Sequence, residues 1–168
     1  MIISVVLLIF SFLFEGFISN YISSSLSDLN LLTSLFTLVT LIVLYPYFHN
    51  KKKYYILLLI FSFLIDVVYT NTLIFNVILF VGVSFIYRFL NYLLSNNLLM
   101  INIISLVSVF FYHLLSYLIL VLINYNTYPF MLLINIFLNS IIMTIIYTSI
   151  MYFISKFLFN KFDIKQVK

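Results

Sequence analysis

Three ionisable residues stand inside long apolar runs: Glu15, Asp66 and His113. On the insertion scale a charged side chain at the centre of a membrane helix costs roughly 2.5–3.5 kcal/mol, so each residue needs a reason to be there. At about 1.5 Å per residue, each falls roughly 4–6 Å beyond the midpoint of its own run, toward the external side. Asn139 in the last run has a similar depth, and Asn135 lies one turn further out on the same face. Five polar residues from four helices are thus expected in one layer of the outer leaflet, as a ligand site, a partner contact or a helix-locking network. The plainer reading is that each pairs locally with Ser, Thr or backbone, or reaches the interface. It carries least weight for Asp66, whose short side chain snorkels poorly.

A Glu–Asp pair is in principle capable of acid–base work. No nucleophile or metal site accompanies this one. The chain has no H-E-x-x-H, no G-x-S-x-G and no G-x-x-x-x-G-K-[ST]. His49 and His113 fall on opposite sides of the membrane and cannot share a metal, and two carboxylates do not form a selectivity ring. The sequence therefore points to no catalytic residue, no cofactor and no metal.

The elements that must hold these residues are membrane helices. Hydrophobic residues make up 65 % of the 168 positions and charged residues 7 %, against about 25 % charged in soluble domains. Backbone groups in lipid must pair internally, which leaves helices or a closed barrel. Stretches such as 57–64 and 141–147 are apolar at consecutive positions. A barrel strand would alternate. The chain has no cysteine, hence no disulfide, thiol nucleophile or lipidated thiol. The first run has neither a basic flank nor a small-residue cleavage site, so it reads as a retained helix.

The expected fold is all-α: one integral membrane domain, 1–168, with six spans at about 2–22, 29–48, 54–70, 72–93, 98–123 and 130–155. Polar breaks separate them at Ser23 to Asp28, at His49 to Lys53, at Thr70-Asn71-Thr72, at Ser95-Asn96-Asn97 and at Asn124 to Pro129, with Pro129 suited to a first helical turn. With a cytoplasmic N-terminus, six spans put all eight basic residues inside, while the first outer loop carries Asp28. A five-span rival merging 54–93 would put the C-terminal lysines outside. Lys51, Lys52, Lys53, Arg88 and Lys156 read as inner-leaflet anchors, and Tyr45, Tyr47, Tyr54 and Tyr55 as an interfacial aromatic belt. The net charge of +4 is explained by anionic membrane lipid and calls for no nucleic acid.

Ile65-Asp66-Val67-Val68-Tyr69-Thr70, followed by Leu73 and a long apolar run ending in Tyr87-Arg88, resembles the rod shape-determining protein MreD family. Phe14-Glu15-Gly16 in the first run and the last run, introduced by Pro129 and bearing Asn135, extend the resemblance to essentially the whole chain. Two positions depart from the family pattern. Ser62 stands where a glycine usually lies four residues before the Asp, and Ile74 where a second usually follows it. Ser62 is still small enough for close helix approach, whereas Ile74 is not. The resemblance implies a non-enzymatic scaffold of the cell elongation machinery, acting in rod shape and lateral peptidoglycan synthesis. Its partners would be an MreC-like bitopic protein and, through it, MreB, RodA and a penicillin-binding transpeptidase. It also implies the fold shared with substrate-binding subunits of energy-coupling-factor vitamin transporters. Such a subunit is the alternative function, although this chain lacks the alanine-rich motifs those subunits present.

Overall fold

The computed structural model describes residues 2–23, 35–124, 130–163 and 166. Among them the secondary structure is entirely helical. The helices are α1 (Ile2–Ser23), α2 (Phe36–Leu44), α3 (Lys51–Ile65), α4 (Phe75–Leu93), α5 (Leu98–Leu122) and α6 (Phe130–Lys161). A 3₁₀ turn, Tyr45–Tyr47, continues α2, and a wider π turn, Asp66–Thr70, continues α3. The expected breaks at Ser24 to Asp28 and at residues 125–129, Pro129 included, lie outside the described residues.

Local chemistry sets the helix ends. Pro46 cannot donate to a continuing α ladder, and α2 tightens into its 3₁₀ turn there. Asn50 caps α3, its side chain accepting the N–H of Lys52 at 3.0 Å. Asn71 adopts φ 51°, the left-handed conformation that Asn tolerates after a helix. The Thr72 N–H then closes the turn on the Asp66 carbonyl at 3.0 Å. This break makes α3 and α4 separate helices, so residues 54–93 do not merge into one span.

Five helical segments are long and apolar enough to cross a bilayer, and the chain is a multi-pass membrane protein. Large apolar side chains such as Leu13, Phe17, Phe85, Phe89, Ile142 and Phe157 cover the outside of the bundle, a surface suited to lipid rather than water. The expected second span, 29–48, is described only in part. Helix α2 with its 3₁₀ turn runs Phe36–Tyr47, about 18 Å at the α-helical rise, less than the ~20 residues a crossing needs. Every residue from Phe36 to Phe48 is buried. A helix apolar on all sides belongs in a core, and α2 packs against α1, α5 and α6.

The aromatic belt expected at Tyr45, Tyr47, Tyr54 and Tyr55 is instead mostly core. Tyr54 is fully buried, Tyr45 and Tyr47 are buried, and Tyr55 is half-buried. The Tyr54 and Tyr87 hydroxyls meet, and Tyr54 also donates to the Leu41 carbonyl at 3.2 Å. Tyr47 stacks on Phe159 with ring centroids 4.2 Å apart. These contacts gather the end of α2, the start of α3 and the ends of α4 and α6 at one face of the bundle. All six described basic residues, Lys51, Lys52, Lys53, Arg88, Lys156 and Lys161, belong to those segments.

Candidate functional site

Asp66 closes α3 at the end of the bundle opposite the lysines, and its side chain reaches the start of α4. Its Oδ1 accepts the Asn76 backbone N–H at 2.9 Å and the Asn76 side-chain amide at 3.0 Å. The Thr72 hydroxyl donates to the same oxygen. Oδ2 accepts the Val77 N–H at 3.2 Å. Helix α4 begins at Phe75, so Asn76 and Val77 carry N–H groups with no intrahelical partner. A carboxylate from the preceding helix supplies that partner and places negative charge at the positive end of the helix dipole. The Tyr112 hydroxyl of α5 donates to Asn76 Oδ1. The Asp66 brace thereby joins α3, α4 and α5.

Glu15 repeats this arrangement one hairpin earlier. It is buried in the second half of α1, two turns before its end, and its Oε2 accepts the Thr37 N–H at 2.8 Å. Thr37 is the second residue of α2, again a position without an intrahelical acceptor. Neighbouring Gly16 leaves room for Tyr69 of the π turn. A Cβ at Gly16 would overlap the Tyr69 hydroxyl and lie 2.7 Å from its Cζ. Tyr69 lies against Phe12 at 4.7 Å between centroids and donates to the Phe12 carbonyl at 2.7 Å. The Phe14-Glu15-Gly16 and Asp66–Thr70 segments are therefore in direct contact.

The single layer of five polar groups is not what forms. Glu15 and Asp66 each serve a different helix start, and Tyr112 lies within electrostatic reach of both. His113 is buried, its ring edge-on to Tyr112 at 5.6 Å. Asn135 and Asn139 are exposed on the outer face of α6. The buried stripe of α6 runs through Leu133, Ser140, Thr144, Tyr147, Thr148, Met151 and Ser155. One residue is about 100° of helix rotation, so Ser140 faces inward and Asn139 turns away.

No protein-family model, curated protein or solved structure matches the chain.

The polar contacts that sequence reasoning missed lie deeper in the bundle. Ser11, Thr40 and Tyr147, from α1, α2 and α6, form a closed triangle of hydroxyls. The Ser11–Thr40 distance is 2.7 Å, Thr40–Tyr147 is 3.1 Å, and Tyr147 donates to Ser11 at 2.8 Å. Ser11 passes its own proton to the Leu7 carbonyl at 2.7 Å. Ser4, Ser11 and Glu15 share one buried face of α1 through i, i+7, i+11 spacing. On α6, Ser140, Thr144 and Thr148 recur every four residues, a small-residue stripe suited to close helix approach in lipid. Those spacings are the signal that was available. Of the expected anchors, Lys52, Lys53, Arg88 and Lys156 are exposed. Lys51 is half-buried, its Nζ 3.9 Å from the centre of the Tyr45 ring.

Chemically, the arrangement fixes helices. Both buried carboxylates are engaged by backbone donors, and among the described residues no three His, Cys, Asp or Glu side chains gather to hold a metal.

Proposed function

We propose that this chain is a non-enzymatic membrane scaffold of the MreD type, contributing to rod shape and lateral peptidoglycan synthesis in the cytoplasmic membrane. The observation that carries the reading is the engagement of Asp66. The most specific part of the resemblance, Ile65 to Thr70, forms a brace between α3 and α4, as befits a motif whose task is to hold a shape for a partner. The reading includes six spans with both termini cytoplasmic, and the helix arrangement of energy-coupling-factor substrate-binding subunits. The clustering of the described basic residues at one end supports that orientation.

In this reading the lipid-facing helix surfaces receive the transmembrane helix of an MreC-like bitopic protein, which links the chain to MreB, RodA and a penicillin-binding transpeptidase. Depletion in a rod-shaped host tests it. Cells should round up, and peptidoglycan insertion should disperse along the sidewall. Cells that keep their shape and lose uptake of one vitamin would replace the scaffold with the transporter subunit.

A further inference from the structure

At the lysine-bearing end a hollow of about 160 Å³ opens between the start of α3 and the end of α4, lined by Tyr45, Lys51, Arg88, Asn91, Tyr92 and Asn96 among others. Its composition is unusual for this chain. Two of the six described cations face it, and none of its lining residues is acidic. Lys51 is held at the wall, its ammonium donating to the Tyr45 carbonyl at 3.3 Å and lying over the Tyr45 ring. It is therefore held at the wall of a hollow that Arg88 also lines, rather than extended away into water. Lys52 and Lys53, next in sequence, are exposed and line no part of the hollow. Two cations held together without a carboxylate repel, and an anion between them reverses the sign of that interaction.

We propose that this hollow binds a phosphate ester, with the headgroup of an anionic glycerophospholipid as its source. The Arg88 guanidinium offers a planar fork suited to two phosphate oxygens, and Lys51 adds a point charge from the facing wall. The surroundings favour a lipid. A second hollow of about 400 Å³, lined by Tyr92, Leu93 and Leu94 among others, adjoins the first through Asn91 and Tyr92. Its Leu93 and Leu94 offer apolar contact for the upper acyl chain, and Asn91 and Ser95 polar contact for the glycerol. Tyr92 is 86 % exposed, a position suited to an aromatic ring at headgroup level. Basic pockets between transmembrane helices are a known means of binding anionic headgroups.

The test is native mass spectrometry of the full chain in detergent, titrated with dioleoyl-phosphatidylglycerol, dioleoyl-phosphatidylcholine or sn-glycerol 3-phosphate. Phosphatidylglycerol should bind in preference to phosphatidylcholine. Its affinity should fall about tenfold or more, one lost charge-assisted contact, in Lys51→Gln and in Arg88→Gln. The paired variant Lys52→Gln/Lys53→Gln should bind as the native chain does. Arg88 is exposed, so Arg88→Gln should keep the lipid-free melting temperature, and Arg88→Lys should recover part of the affinity. Binding of glycerol phosphate alone with the same dependence on Lys51 and Arg88 would keep the site and assign it a water-soluble ester. Equal losses in the Lys52/Lys53 pair and in Arg88→Gln, or no loss in either, would mean diffuse attraction and overturn the site.

Discussion

The carboxylate of Asp66 sits on the first turn of the helix that follows it, accepting the backbone N–H of Asn76 at 2.9 Å. Two hydrophobic helices joined by a four-residue break, 71–74, are thereby held at their shared end by a charge-assisted bond rather than by apolar packing alone. In lipid the distinction matters, since apolar surface gains little by leaving one hydrocarbon environment for another.

Substitutions at Asp66 should separate shape from charge. Asp66→Asn keeps an acceptor oxygen for Asn76 but loses the charge at the helix start, and should destabilise the protein by about 1 kcal/mol. Asp66→Leu leaves the Asn76 and Val77 N–H groups without an acceptor, at about 1–3 kcal/mol for each one left unpaired. Unfolding in mixed micelles should rank native, Asn and Leu in falling order. Equal stability of all three would show that the brace contributes nothing.

Glu15 should behave in parallel. Glu15→Gln retains an acceptor for Thr37, and Glu15→Leu does not. The larger loss, again about 1–3 kcal/mol, should come with Leu and should speed hydrogen exchange at the first turn of α2. Unchanged exchange at Thr37 in Glu15→Leu would contradict the assignment.

Gly16→Ala should force Tyr69 off Phe12, costing about 1–3 kcal/mol as overpacking does. Tyr69→Leu frees that space, so the double variant should be more stable than the sum of the two single losses predicts. Simple additivity would show that Gly16 and Tyr69 do not share a contact.

On α6 the inward and outward faces should respond differently. Asn135→Leu and Asn139→Leu, both lipid-facing, should leave stability within about 0.5 kcal/mol or improve it. Ser140→Leu and Thr144→Leu should each lose about 1–3 kcal/mol by forcing a larger side chain into the packed stripe. The reverse ranking would restore the expected polar layer.

The class of fold was readable because a 65 % hydrophobic chain leaves few options, and the breaks at Asn50 and Asn71 were readable because turn chemistry is local. Glu15 and Asp66 stood out because ionisable groups are costly in hydrocarbon. Their backbone partners at the next helix start did not, because Thr37 and Asn76 contribute N–H groups that every residue possesses. Which N–H is left over depends on where a distant helix begins. Asn139 was misplaced for a related reason. Depth along a helix follows from counting, but facing follows from packing, and Ser140 one residue on is the group that turns inward. The burial of Tyr54 and Tyr87 was hidden because tyrosine suits both an interface and a core where its hydroxyl finds a partner.

The central claim, that the chain is a scaffold acting through a partner within the bilayer, is tested most directly by affinity purification of the native chain from host membranes in mild detergent. The scaffold reading predicts co-purification of an MreC-like bitopic protein with the native chain, and its loss from an Asp66→Leu variant that still inserts and remains monodisperse. Recovery of the intact, folded native chain without such a partner would contradict it.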